Sequence, residues 1–145
     1  MNEVGGGMIV LAIDPGKEKC GVAVVDQESV LWQQVLERNG YLSLVGEAVR
    51  QYSVDKIILG DGTGSADFLR EIKGRLPEVE VKVIDEKFSS EEARKRYWLD
   101  HRPSGFRRIL PTSMQLPPEP YDDYVAVILA ERFLAGETEE TLGIE

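Results

Sequence analysis

Five acidic residues stand where side chains react more often than they pack. Asp14 closes the apolar run Met8–Ile13 and is followed at once by Pro15-Gly16. Asp85-Glu86 follows the run Val79–Ile84, and Asp122-Asp123 opens the stretch that ends at Leu134. A carboxylate at the edge of a buried run is costly to desolvate unless it meets a metal, a hydrogen-bonding partner or a cation. Three such clusters brought together would repel one another, and only a cation or shifted pKa values would relieve them. Hard divalent ions prefer oxygen sites of this kind. The chemistry that uses them is phosphoryl transfer with one or two Mg2+ or Mn2+ ions, one activating water and the other stabilising the leaving oxygen. Each cluster also has a plainer account. Asp14 can start its turn by bonding its own backbone, Asp85-Glu86 can be a simple turn, and Asp122-Asp123 suits a helix N-terminus through capping and the macrodipole. Taken singly the plainer accounts hold their ground; the metal reading requires the three to meet.

Whether they meet depends on the elements that carry them. Residues 8 to 14, 21 to 26 and 29 to 36 read as three consecutive strands, which predicts an antiparallel meander. Leu42, Val45, Val49 and Tyr52 recur at helical spacing, and Asp55 to Gly60 reads as a buried strand. A second helix is expected from Ser65 to Leu76, ended by Pro77, and then a strand from Val79 to Ile84. Ser89 with Glu92 has the spacing of a capping box and opens a third helix; residues 102 to 120 form a proline-rich loop, and Tyr121 to Leu134 a last helix. This order predicts an α/β domain: a mixed five-stranded sheet, three strands in a meander and two parallel, flanked by helices. The first strand would lie centrally, so that the carboxyl ends of its parallel neighbours converge on Asp14. Asp122 shares a helix face with Ala126, Leu129 and Phe133 and should point to the sheet, while Asp123 shares one with Val127, Ala130 and Leu134.

Composition narrows the partners. With 145 residues the chain fits a single domain over 1–145, and only residues 1–7 and 137–145 read as loosely held. No apolar run reaches the roughly 18 residues of a membrane span, and the start MNEVGGG lacks a signal-peptide pattern, so a cytoplasmic location without membrane contact is expected. One cysteine and one histidine exclude an ordinary zinc site, so any metal must sit among oxygens. The net charge of −9 argues against nucleic acid, but its distribution argues for it. The segment from Arg94 to Arg108 carries +5 and leaves −14 on the rest. It interleaves Arg94, Lys95, Arg96, Arg102, Arg107 and Arg108 with Tyr97, Trp98, His101 and Phe106, the mixture of cations and flat rings that grips phosphates and bases. A basic helix face with Trp98 as a core anchor explains the same residues. Gly60, Gly62, Thr63, Gly64 and Ser65 before a helix could cradle a phosphate, although a tight strand-to-helix turn also calls for glycines.

The segments LAIDPGKEKCGVAVVD, IDEKFSSEEAR and PYDDYVAVILAERFL resemble, over nearly the whole chain, the YqgF/RuvX family of RNase H-like nucleases, relatives of the RuvC Holliday-junction resolvases. The resemblance implies an RNase H-like fold, Asp14, Glu86 and Asp122 as active-site acids binding Mg2+ or Mn2+, and trimming of the 5' end of pre-16S rRNA, with branched-DNA cleavage as the alternative substrate. Where RuvC-like resolvases carry a further Asp this chain has Val125, so a fourth metal ligand would have to be Asp123. A nucleic-acid-binding module without catalysis is the competing reading; RNA is favoured over branched DNA as partner, and a monomer and a homodimer fit equally.

Overall fold

β1 (Val10–Asp14), β2 (Lys19–Val25) and β3 (Val30–Glu37) form the antiparallel meander, and β4 (Lys56–Gly60) and β5 (Glu80–Ile84) continue it in parallel beside β1. The resulting five-stranded order is β3-β2-β1-β4-β5, with β1 central as the meander requires. The computed structural model describes residues 7–87, 89–101 and 121–136. The proline-rich segment 102–120 and the acidic tail lie outside them, as does the chain start up to residue 6.

β1 reads as a continuous apolar run because both its faces are covered: Val10, Leu11, Ala12 and Ile13 are wholly buried. Leu11 and Ile13, with Val22, Ile57 and Leu59, face the layer of α1 (Tyr41–Tyr52) and α2 (Ser65–Arg75). Val10 and Ala12, with Ala23, Val25 and Ile58, lie under α4 (Asp122–Leu134), whose outer side is covered by α3 (Ser89–Asp100). That double cover explains one departure from the amphipathic pattern, since α4 is buried continuously from Val125 to Ala130. A second departure concerns the expected capping box. Ser89 lies inside the first turn of α3, and its hydroxyl donates to the Glu86 carbonyl oxygen at 2.7 Å. The helix start is thereby tied to the residue that ends the preceding acidic pair.

The layer between α4 and the sheet is thin because small residues line it. Ala12 and Ala23 face Ala126 and Ala130, and at the end of that row β2 carries Gly21. The backbone of α4 rests directly on this glycine: a Cβ there would fall 1.9 Å from the Asp122 carbonyl oxygen. No side chain fits, and the obstacle is main chain that cannot swing aside. Gly21→Ala should therefore destabilise the protein by about 1–3 kcal/mol through overpacking. A lowered urea midpoint at unchanged slope is the expected result; an unchanged midpoint would show that α4 can lift off β2 freely.

Candidate active site

The strand alternation places Asp14 on the α4 side of the sheet, in line with Val10 and Ala12. Its neighbours in the sheet are two glycines. Gly21 is its registered partner on β2, and Gly60 ends β4 one step beyond the Ile13–Leu59 pair. Over Gly21 lies the first turn of α4; over Gly60 lies the Glu86 carboxyl, which a Cβ on Gly60 would meet at 2.2 Å. The two glycines leave room on either side of Asp14 for the acids that approach it.

The Asp14 and Glu86 carboxyl groups lie within hydrogen-bonding reach of each other. Burial, then the charges of Glu86 and Asp122, push the Asp14 pKa up to about 9. Glu86 is also raised, chiefly by burial and further by Asp61 and Asp85, against a 3.2 Å hydrogen bond from the Gly62 N–H and the bond from Asp14. Asp122 is raised by burial and by Asp123, with Lys19 pulling the other way. Asp122 raises Asp14, whereas Asp14 is not among the groups raising Asp122. Behind Asp14, on the opposite face of β2, burial pushes the Cys20 thiol up to about 12 and leaves it inert.

The structure thus brings Asp14, Glu86 and Asp122 to one edge and directs Asp123 elsewhere. Asp123 Oδ2 accepts from Gln33 Nε2 at 3.1 Å, and its Oδ1 accepts the Tyr124 N–H at 3.0 Å. Asp61 is an addition that the glycine-rich turn concealed: its Oδ1 accepts the Glu86 N–H at 3.2 Å and so orients the acid. Gly21 was visible as a glycine inside a buried strand, the usual mark of a close approach. The expected phosphate cradle is differently employed. The Gly62 N–H serves Glu86 and the Ser65 N–H serves the Gly62 carbonyl, while Gly60 is the floor beneath Glu86; only Thr63 and Gly64 of that set border open space.

The basic helix also departs from expectation. Arg96 forms a two-pronged ion pair with Glu131 at 2.9 and 3.0 Å, fastening α3 to α4. Arg94 donates to the Tyr121 hydroxyl at 3.4 Å, and Lys95 is exposed. Tyr97 and Trp98 are buried edge to face against each other, so they pack the core and offer no face to bases. Arg102, Arg107 and Arg108 fall outside the described residues.

A family profile described as RuvX, Holliday junction resolvase, matches residues 8–135. The chain belongs to the RuvX family. Among its relatives is a protein of Bacteroides fragilis named "Putative pre-16S rRNA nuclease", 29% identical over 94 residues that make up 56% of this chain and 68% of the relative. One of the same name in Chlorobium phaeobacteroides is 33% identical over 99 residues, 59% of this chain and 69% of the relative. The RuvX chain also shares its fold with solved resolvases. Thermus thermophilus RuvC in complex with a Holliday junction substrate superposes with a TM-score of 0.54 at 16% identity, over 92% of this chain and 99% of that one. The Fowlpox virus resolvase, solved with junction DNA, gives 0.60 at 16% identity over 89% and 98%. Among the described residues no helix of the RuvX chain is long and apolar enough to cross a membrane.

The donor chemistry of this edge suits a hard divalent ion, since it is all carboxylate and all three of its acids carry raised pKa values. Among the described residues the acids do not form a ready-made three-ligand cage; Asp14 and Glu86 are neighbours, while Asp122 acts on Asp14 through its field. Metal-free protein should show the strain in its pH dependence. A carboxyl held at about 9 when folded, against about 4 unfolded, contributes stability fully present below pH 4 and lost as pH rises through 9. The urea midpoint in EDTA should therefore fall between pH 6 and 9, and Asp14→Asn should flatten that decline. Parallel declines in the two proteins would show that Asp14 does not carry the strain.

Proposed function

We propose that this RuvX chain is a Mg2+- or Mn2+-dependent endonuclease that trims the 5' end of pre-16S rRNA. Family membership places it among nucleases, and the observation supporting catalysis is the contact between Asp14 and Glu86 at a sheet edge that also receives Asp122. Packing alone gives no reason to press two half-buried acids together on glycines. Asp14, Glu86 and Asp122 would hold the metal, which when bound supplies an activated water and stabilises the leaving oxygen. The chain's own residues prepare that event. Gly62 and Asp61 fix the orientation of Glu86 from opposite ends, through its carboxylate and its N–H. Asp14 would hold the metal as a carboxylate, so that affinity would rise with pH. Lys19 favours the ionised form of Asp122. Burial beneath α4 keeps the acids rigid, so little reorganisation is left for the reaction itself.

Two measurements test this. Purified protein and Asp14→Asn would be incubated with a 5'-extended 16S precursor RNA and with a four-way DNA junction, in Mn2+ and in EDTA. Cleavage of the RNA that is abolished by EDTA, and falls roughly 10³-fold or more in the variant, is expected. Cleavage of the junction alone would move the substrate to the one named in the family description, and binding of both without cleavage would leave a binding module.

Gly60→Ala gives a sharper probe, because the three atoms nearest its Cβ would all belong to the Glu86 side chain. The expected result is a loss of cleavage of roughly 10²-fold with a melting temperature close to the parent's. Retained activity would mean that the Glu86 position seen here is not the working one.

A further inference from the structure

Five carboxylates act on one another at the catalytic edge, namely Asp14, Asp61, Asp85, Glu86 and Asp122, and a nucleic acid approaching it needs cations close by. Arg94 and Arg96 on α3 are engaged with Tyr121 and Glu131. Cations stand instead beside a cavity of about 350 Å3 between the turn after β1 and the turn before α2. Gly16 and Lys17 form one wall, Thr63 and Gly64 the other, with Arg38 and Phe68 between them. Both walls continue the segments that hold the acids, since Asp14 lies two residues before Gly16 and the Gly62 that binds Glu86 adjoins Thr63.

The cations differ in kind. Lys17 is exposed and has no hydrogen bond or ion pair among the described residues. Arg38 is held in place: it donates to Glu71 at 3.0 and 2.9 Å, lies 4.2 Å from the Phe68 ring centroid, and its N–H fastens to the Glu18 carbonyl at 2.8 Å. Those side-chain bonds use two of the five guanidinium donors, and three remain. Asp67 at the rim is already paired with Arg70. The cavity is of a size that takes a small ligand group, and its two ends differ in rigidity as a grip on a flexible backbone requires.

We infer that this cavity seats a backbone phosphate adjacent to the scissile one, with Lys17 as its mobile cation and Arg38 as its fixed donor. The inference rests on the nuclease reading above. It assigns the alignment of the strand to the turn that carries Asp14, so that one short segment both positions substrate and presents an acid.

Fluorescence anisotropy with a labelled 5'-extended 16S precursor fragment, titrated in EDTA over a range of salt, tests it. Lys17→Gln should weaken binding by roughly three- to tenfold and lower the salt slope by about one. Thr63→Glu, at an exposed position, should weaken binding at least as much, while Lys73→Gln on the exposed side of α2 should change neither quantity. Melting temperatures check that each variant folds. Unchanged affinity and slope in both Lys17→Gln and Thr63→Glu, in a protein whose parent cleaves the RNA, would overturn the phosphate seat alone. A parent that neither binds nor cleaves would overturn it together with the nuclease reading.

Discussion

Mutual repulsion of carboxylates at one end of the sheet is the constraint around which the rest of the molecule is built. Burial raises the pKa of both Asp14 and Glu86, and the Glu86 charge raises Asp14 further, an arrangement that is unfavourable to the fold at neutral pH. A chain selected for stability alone would not keep it, and the proposed cation would relieve it. What holds the acids against their repulsion is packing that cannot rearrange. Asp14 ends a strand buried on both faces, and Glu86 is pinned between Asp61 and Gly62. Asp122 is carried by a helix resting its backbone on Gly21.

The two layers around the sheet contribute unequally to this. The α1 and α2 side supplies most of the large apolar side chains, among them Tyr41, Phe68 and Ile72, and so most of the burial that drives folding. The α4 side is built from small residues, which gives up apolar area in exchange for close approach. That exchange lets a helix N-terminus descend to the level of Asp14. The outer helix α3 then restores the lost burial by covering α4 with Tyr97 and Trp98, and the Arg96–Glu131 and Arg132–Glu92 pairs tie the two helices together.

Arginine usage follows the same logic. A guanidinium matched to a carboxylate in two-pronged geometry is a fastener, and Arg96 and Arg38 both serve this way. Arg38 differs in bordering open space beside the acids, so that a bracing residue can also face a ligand. Counting cations along a segment cannot distinguish these situations: Arg94 and Arg96 of α3 are engaged with Tyr121 and Glu131, while Lys95 between them is exposed.

The sequence by itself determined the local features. Hydrophobic period and turn chemistry are set by neighbours along the chain, so the five strands and four helices among the described residues lay within a few residues of where the periodicity put them, and the meander placed β1 at the centre. Asp14, Glu86 and Asp122 were legible as acids at the ends of elements, because an acid beside an apolar run is conspicuous wherever it folds. Only the tertiary structure decided which acids meet. Asp122 and Asp123 are one residue apart and chemically identical, yet the rotation of α4 on Gly21 sends one toward Asp14 and the other to Gln33. The same holds for the glycines of the β4–α2 turn: whether their N–H groups face a phosphate or a carboxylate depends on what a strand 24 residues later brings beside them. Such choices rest on close approach between distant segments, where tenths of an ångström decide, and no spacing along the chain encodes that directly.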